Sequence, residues 1–537
     1  AALGSTFSSN ALAQEKTGEF WVDGQLFGSS RCHTAGGYEH AQVSVFWGKN
    51  PWQSHGFPRA RVVLKEIAKD PDRAIIVVDP KRSETADLAD LHLQVRPGGD
   101  AWLLAALLAV LVEEDLLDGE FLDTRTVELD QVLAALSGID DDYADRAGVP
   151  VDQVREAARL IGTAGSCSIF EDLGIQMAPH STMNSYLEKL IVLLTGNFGI
   201  TGGMNLHTAM APLFGGDHDN RVTPVTGHRL VTGLVPCNVI PDEIATDHAD
   251  RFRALIVESG NPAHSLAGSE RWREAFEALD FSVVIDVSMT ETARLADYVL
   301  PAASQYEKWE ATFFTLEFPE NSFHLRAPVL EPLEGTLPEP EIHARLVEEL
   351  GVLDPDVVAD LRRVAVEDRD SFGGAFLTAV TEHPDLGRYL PVLLYLTLGA
   401  ALPEGPAPAA VWGLAQRCAL QYPESVRRAG FADGEELFEA ILHGRSGVIF
   451  SVDEPEETFN RIKHPDGRIH LAVPEVLDEL RALSDESPAE RADEFPFVLA
   501  AGERRSSTAN TIYRNPDWLK KDRDGTLRVH PDDAAAL

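Results

Sequence analysis

Cysteine is scarce and scattered. Cys32, Cys167, Cys237 and Cys418 are the only four in the chain, and no two form a C-x-x-C. This excludes a disulfide framework and any self-contained zinc or iron–sulfur motif within these residues. Long apolar runs are missing too. The most apolar stretch, Leu390 to Leu402, is too short to span a bilayer and contains Gly399, so it reads as a buried helix. Positive charge is in short supply: 46 Lys and Arg stand against 86 Asp and Glu, a net charge of −40. That balance argues against nucleic acid or an anionic membrane as the main partner. The acids are spread along the chain, as on a solvated acidic surface. There is no G-x-G-x-x-G, so a standard NAD site is not indicated. The cytoplasm is the expected location; no signal peptide is visible, but in a fragment that absence carries little weight. The chain opens "AALGSTF" and closes "RVHPDDAAAL", and it reads as a fragment missing both ends.

What is present is an ordinary globular composition, 44% hydrophobic and 25% charged. A length of 537 residues exceeds one hydrophobic core, so several domains are expected. The informative feature is a repeat: "SETADLAD" at Ser83–Asp90 and "TETARLAD" at Thr290–Asp297. Around each copy the likeness widens. "VSVFWGKNPWQSH" leads through a helix-like segment to "AIIVVDPKRSETADLADLHLQV". "FRALIVESGNPAHSL" leads likewise to "FSVVIDVSMTETARLADYVLPA". Continuous Val/Ile runs bounded by turn residues and separated by helices read as buried parallel strands in βαβ units. Two such units imply two similar α/β domains, or two halves of one pseudo-symmetric body.

Each repeated part has a physical reading. Gly48 and Gly260 fall at strand C-termini, where open α/β sheets bind ligands, and Pro51 and Pro262 open the next helix. Asn50 and Asn261 can donate and accept through one side chain, which suits a nucleotide or phosphate edge. Asp79 and Asp286 end the second strand, where such folds set a carboxylate against ribose or base. Glu84-Thr85-Ala86 and Glu291-Thr292-Ala293 are either ligand contacts or simply a helix start. Pro97-Gly98-Gly99-Asp100 is a turn before an apolar helix, with Asp100 as its N-cap. The loop Gly196, Asn197, Gly199, Gly202, Gly203 could turn backbone amides toward an anion, although helix C-caps use the same residues. Gly174 in "EDLGIQM" falls at another strand end. From about Pro319 the chain turns Pro-rich and then helical to about Arg481, "LSDESPAERADEF" reads as a linker, and a further domain begins.

The stretches "GKNPWQSH", "VVDPKRSETADLADLHLQVRPGGD", "LLTGNFGITGGMN", "SGNPAHSL", "DVSMTETARLADYVLPAASQYEKWEATF" and "AGERRSSTANTIYRNP" together resemble the molybdopterin oxidoreductase family, the dimethyl-sulfoxide-reductase and formate-dehydrogenase-like group. The resemblance implies two pseudo-symmetric Rossmann-like parallel-sheet domains around a bis-molybdopterin guanine dinucleotide carrying molybdenum or tungsten, followed by the start of a β-barrel domain. The boundaries expected are 1–206, 207–485 and 486–537. By position in the family, Gly48, Asn50, Pro51, Asp79, Ser83, Gly99 and Asp100 would serve one dinucleotide, and Asn261, Asp286, Thr290 and Lys308 the other. The Gly174-Ile175-Gln176 turn would lie near the metal, and Asn197 near the cofactor. Gly502, Arg504, Arg505 and Thr508 match a loop that closes over the pterins. A 4Fe–4S cluster is implied in an amino-terminal domain that this chain lacks.

The metal ligand departs from the family pattern. Formate dehydrogenases of the family place Cys or selenocysteine followed by His upstream of the Gly-x-Asn-Pro turn. Counting from Leu3-Gly4-Ser5, that position falls on Glu15, with Lys16 in place of His. Gln14, no protein ligand at all, or Cys32-His33 are the alternatives. The resemblance implies an enzyme that oxidises or reduces a small substrate by two electrons and passes them to an iron–sulfur relay in a partner protein or subunit. The competing reading is a non-catalytic electron-transfer subunit of a respiratory NADH dehydrogenase, which shares the fold.

Overall fold

A computed structural model describes residues 2–54, 56–211, 221–312, 317–487, 497–499 and 529–536. Most of the segment expected to begin a barrel lies outside these residues. The first βαβ pattern becomes a four-stranded parallel sheet: β1 (Val43–Trp47), β2 (Ala74–Val78), β3 (Leu91–Leu93) and β4 (Cys167–Glu171). Its order is β3-β2-β1-β4. All five residues of β1 are buried, which explains why its sequence does not alternate. The chain winds outward from β1 to β3 and then crosses to the other side for β4. The winding direction therefore reverses between β1 and β4, and the crevice beyond their C-terminal ends is a topological switch point.

Helices cover the sheet. α1 (Leu12–Glu15) and α2 (Thr17–Phe27) precede it, α3 (Asp100–Glu113) follows β3, and α4 (Ser181–Leu194) follows β4. α3 is apolar nearly all round, and both α3 and α4 bury almost every side chain. Asp100 is the first helical residue rather than the N-cap, which is Gly99. With the backbone of Gly99 closing the turn through its N–H to Arg96 O at 2.7 Å, the Asp100 carboxylate is released to accept from Trp47 Nε1 at 2.9 Å.

The same core also takes residues from far along the chain. Ile462, Ile469, Leu471, Val473, Val476, Leu477, Leu480 and Leu483 are buried in it, several of them on α5 (Pro474–Ala482). Ile469–His470 pairs in parallel with Thr126–Val127. The first core is thus built from two separate stretches of sequence.

The second pattern forms a three-stranded parallel sheet, β5 (Ala254–Glu258), β6 (Phe281–Asp286) and β7 (Tyr298–Pro301), in the order β7-β6-β5. Trp272 and Phe276 of its crossover helix pack one face with Ile240, Ile244 and Val235. A largely helical core follows, around Phe372, Leu393, Trp412 and Phe438, flanked by antiparallel strands Glu320–Arg326 and Val448–Val452. The apolar run predicted as a buried helix is one, interrupted at Thr397. No helix among the described residues is long and apolar enough to cross a membrane.

Candidate functional site

In both copies the repeated E-T-A is a clamp on the turn asparagine. Asn50 Nδ2 donates to Glu84 Oε2 at 3.0 Å, and Asn50 Oδ1 accepts from Thr85 Oγ1 at 2.6 Å. Asn261 Nδ2 donates to Glu291 Oε2 at 2.7 Å, and Asn261 Oδ1 accepts from Thr292 Oγ1 at 2.8 Å. Each Thr hydroxyl also accepts a backbone N–H from the helical turn after the proline, Trp52 at 3.2 Å and Ala263 at 3.1 Å. The closing Asp ties the motif to the start of the second strand: Asp90 accepts from Ile75 N at 2.8 Å and Asp297 from Ser282 N at 2.7 Å. Both asparagine amides are engaged at both ends within the motif, which fixes the shape of the turn. Pro51 and Pro262 open it as expected.

Asp79 and Asp286 sit half-buried at the strand ends, each with Oδ1 accepting a backbone N–H two residues on, from Lys81 at 2.8 Å and Ser288 at 3.0 Å. Burial pushes the Asp79 carboxyl up. Ser83 and Thr290 are buried, each accepting the N–H three residues on, from Ala86 and Ala293. Lys308 is mostly buried and ion-paired to Glu339. Its charge also acts on Glu258 at the end of β5.

Gly48 follows β1 with φ +60° and donates its N–H to Val78 O at 2.9 Å. Its partner in the second copy is Ser259, not Gly260: Ser259 has φ +52° and donates to Ile285 O at 3.0 Å. The left-handed residue therefore stands two before the asparagine in both copies, and one copy fills it with a residue for which that conformation is strained. At the switch point the backbones of β1 and β4 nearly touch. Gly174 N donates to Gly48 O at 3.1 Å. A Cβ on Gly48 would lie 2.5 Å from Ile175 N, and one on Gly174 would lie 2.5 Å from Gly48 Cα.

Charged groups gather beside this crossing. Asp172 pairs with both Lys49 and Lys16, the latter at 3.9 Å. Lys16 also pairs with Glu19 at 3.3 Å, and Gln176 Nε2 donates to Glu19 Oε2 at 2.7 Å. Behind them lies a buried cluster that sequence reasoning missed. Lys189 Nζ is 3.5 Å from Asp23, 3.7 Å from Glu19, 3.7 Å from Glu171 and 3.9 Å from Glu188, and it donates to Thr34 Oγ1 at 3.1 Å. Burial alone would lower this ammonium, but the four carboxylates outweigh it and hold it well above its ordinary range. Burial likewise opposes the Glu19 carboxylate, yet Lys16, His33 and Lys189 keep it ionised. Glu171 and Glu188 go the other way, pushed up first by burial. Glu19, Asp23 and His33 have ligand atoms within 4.8 Å of one another, but the Lys189 ammonium already supplies the cation there. The signal in the sequence was Glu188-Lys189, a charged pair inside the otherwise apolar "YLEKLIVLL".

The structure thus brings Gly48, Asn50, Pro51, Asp79, Ser83, Gly174, Gln176 and Lys16 to one end of the first sheet, and Asn261, Asp286, Thr290 and Lys308 to the corresponding end of the second. Asp100 is tied to the first group through Trp47, with Gly99 beside it. Glu15 ends α1, half-buried, where its charge helps raise the Cys237 thiol after burial has done most. Cys32 is buried against Arg461 O at 3.3 Å. Asn197 is at the opposite end of β4, its Oδ1 accepting from Cys167 N at 2.7 Å. Gly502, Arg504, Arg505 and Thr508 lie outside the described residues.

The chain is 31% identical over 317 residues to the F420-dependent formate dehydrogenase 1 subunit alpha of Methanococcus maripaludis, covering 55% of this chain and 46% of that one. It is 28% identical over 359 residues to the F420-dependent formate dehydrogenase subunit alpha of Methanocaldococcus jannaschii, covering 62% and 52%. The chain spans about half the length of the curated relatives it matches. Among solved structures, acetylene hydratase from Pelobacter acetylenicus shares the fold, with a TM-score of 0.56 at 21% identity over 65% of this chain and 52% of that one. The sequence model of the family described as "Molybdopterin oxidoreductase" matches residues 2–333, and the chain belongs to that family.

Proposed function

We propose that this chain is the cofactor-holding part of an enzyme that oxidises or reduces a small substrate with a bis-molybdopterin guanine dinucleotide carrying molybdenum or tungsten. The observation that carries this reading is the pairing of one clamp motif with two parallel sheets. Each sheet ends in a half-buried carboxylate, Asp79 or Asp286, beside a clamped turn, as a ligand with two like halves requires. The residues fit such a group. A carboxylate accepts the adjacent N–H donors of a guanine edge. Lys16 and Lys49 bring positive charge toward anionic pyrophosphates, and Lys308 would do so at the second sheet. Among the described residues Gln176 Oε1 is buried without a hydrogen-bond partner, an acceptor open to a donor of the bound group.

When bound, the cofactor supplies the two-electron redox chemistry. The chain's own residues orient it, exclude water and set the local charge. Gly48 and Gly174 allow the close backbone crossing that closes the crevice floor. Ser83, Thr290, Gly99 and Asp100 shape the strand-end turns, and Asp100 through Trp47 links α3 to β1. Glu15 is proposed as a carboxylate ligand to the metal with Lys16 as its neighbour, and Gly502, Arg504, Arg505 and Thr508 as residues that close over the pterins. Electrons would leave through a 4Fe–4S cluster to a partner protein or subunit. The test is metal and pterin content of the full-length protein from a host that makes the cofactor. Mo or W with about two pterins per chain is expected, and Asp79→Ala and Asp286→Ala should each lower the pterin content at least twofold. Protein with neither metal nor pterin would overturn the reading.

A further inference from the structure

Among the described residues the Gln176 amide is engaged at one end only, and a neighbour decides which end that is. Glu19 Oε2 accepts from Gln176 Nε2 at 2.7 Å. An ionised carboxylate has no proton to give, so it selects the NH2 end of the amide and turns the oxygen away. That oxygen is buried and has no hydrogen-bond partner among the described residues. Glu19 comes from α2 and Gln176 from the turn after β4, so the contact joins two separate stretches at the switch point. Glu19 itself is 5% exposed and is held ionised by two ammonium groups, Lys16 Nζ at 3.3 Å and Lys189 Nζ at 3.7 Å. Without those cations burial would favour the protonated acid. A protonated Glu19 could donate to Gln176 Oε1 and invert the amide.

We propose that Glu19 is a positioning residue for the cofactor: it fixes Gln176 so that Oε1 is presented as an acceptor to a donor of the bound group, with Lys16 and the buried Lys189 as its counter-cations. This rests on the function proposed above. It assigns work to a residue outside the family-like motifs.

The test reads pterin per folded chain, by fluorescence after acid oxidation, in full-length protein from a cofactor-competent host. Three proteins are compared with wild type: Glu19→Gln, Gln176→Leu, and the exchange Glu19→Gln with Gln176→Glu. Glu19→Gln can satisfy Gln176 from either end and should lose at least fivefold of the pterin. Gln176→Leu removes the acceptor while leaving Glu19 in place, and should lose as much. The exchange reverses the hydrogen bond, with a donor at 19 and a carboxylate at 176 that can only accept, so its second oxygen again faces the bound group as an acceptor, and content should return to within twofold of wild type. The proposal is overturned if Glu19→Gln keeps its full pterin, or if the exchange folds but stays empty. If Glu19→Gln does not fold, the exchange and Gln176→Leu decide: loaded and empty respectively supports the role, and any other folded result overturns it. Wild-type protein without pterin would overturn the proposed function instead.

Discussion

Gly48 and Ser259 occupy one backbone position in two copies of a motif, and they make opposite predictions. At Gly48 any Cβ would meet the Ile175 backbone 2.5 Å away, and backbone cannot step aside as a flexible side chain can. Gly48→Ala should therefore open the β1–β4 crossing and cost about 3 kcal/mol or more, read as a fall in the urea midpoint. Ser259 carries the same left-handed twist with a side chain that disfavours it. Ser259→Gly should stabilise by about 1 kcal/mol in the same measurement, and a loss of stability there would contradict the pairing drawn here. Asp100 gives a pH dependence. Burial raises its carboxyl from 3.8 to about 6, against the help of Trp47. A carboxyl whose folded pKa exceeds its unfolded value holds its proton more tightly in the fold, so its contribution to stability falls as pH rises from about 4 to about 6. The difference of about two units is worth at most about 3 kcal/mol. In pterin-free protein, Asp100→Asn should gain melting temperature over wild type at about pH 7.5 and lose that gain at about pH 4.

At the scale of elements, the two βαβ units were legible because an apolar strand buried on both faces has no alternation to hide it. The turn residues between them also have few other uses. The job of E-T-A was not legible. Its Glu and Thr reach back across a whole strand and helix to Asn50 and Asn261, and a contact at that separation leaves no local period in the sequence. The buried charges of α4 were hidden for a related reason. Glu188-Lys189 reads as a breach in an apolar helix until Glu19, Asp23 and Glu171 arrive from other elements to meet it. That meeting sets the cost of removing its centre. Lys189→Met would leave the buried carboxylates without their ammonium, and breaking such a group by deleting one partner costs about 3–5 kcal/mol. Adding Asp23→Asn to Lys189→Met should return part of that loss, since the carboxylate nearest the missing ammonium, at 3.5 Å, is then gone too. A double variant less stable than the single, by urea midpoint, would contradict the account.

For the whole molecule, the feature the sequence concealed is where the chain ends up after its helical stretch. Helical periodicity says that Pro474–Ala482 has an apolar face, but not which core receives it. The answer is the first core, which the chain left well before the second sheet began. Val476, Leu477 and Leu480 of α5, with Ile462, Ile469, Leu471, Val473 and Leu483, are all buried there. At about 1.5–3 kcal/mol for each large apolar side chain, these eight contribute on the order of 10 kcal/mol or more. A domain's net stability is about 5–15 kcal/mol, so their loss is comparable with the whole. A chain ending at Pro455 should therefore fail to protect the first sheet from limited proteolysis, while the helical core around Trp412 and Phe438, which draws on none of the eight, stays protected. Supplying residues 456–487 as a separate peptide should restore protection of the first sheet, because the pairing of Ile469–His470 with Thr126–Val127 needs no covalent link. If the shortened chain instead protects β1 to β4 as well as the intact one, the first core stands without its returning segment, and the two-stretch architecture is not what holds the cleft in place.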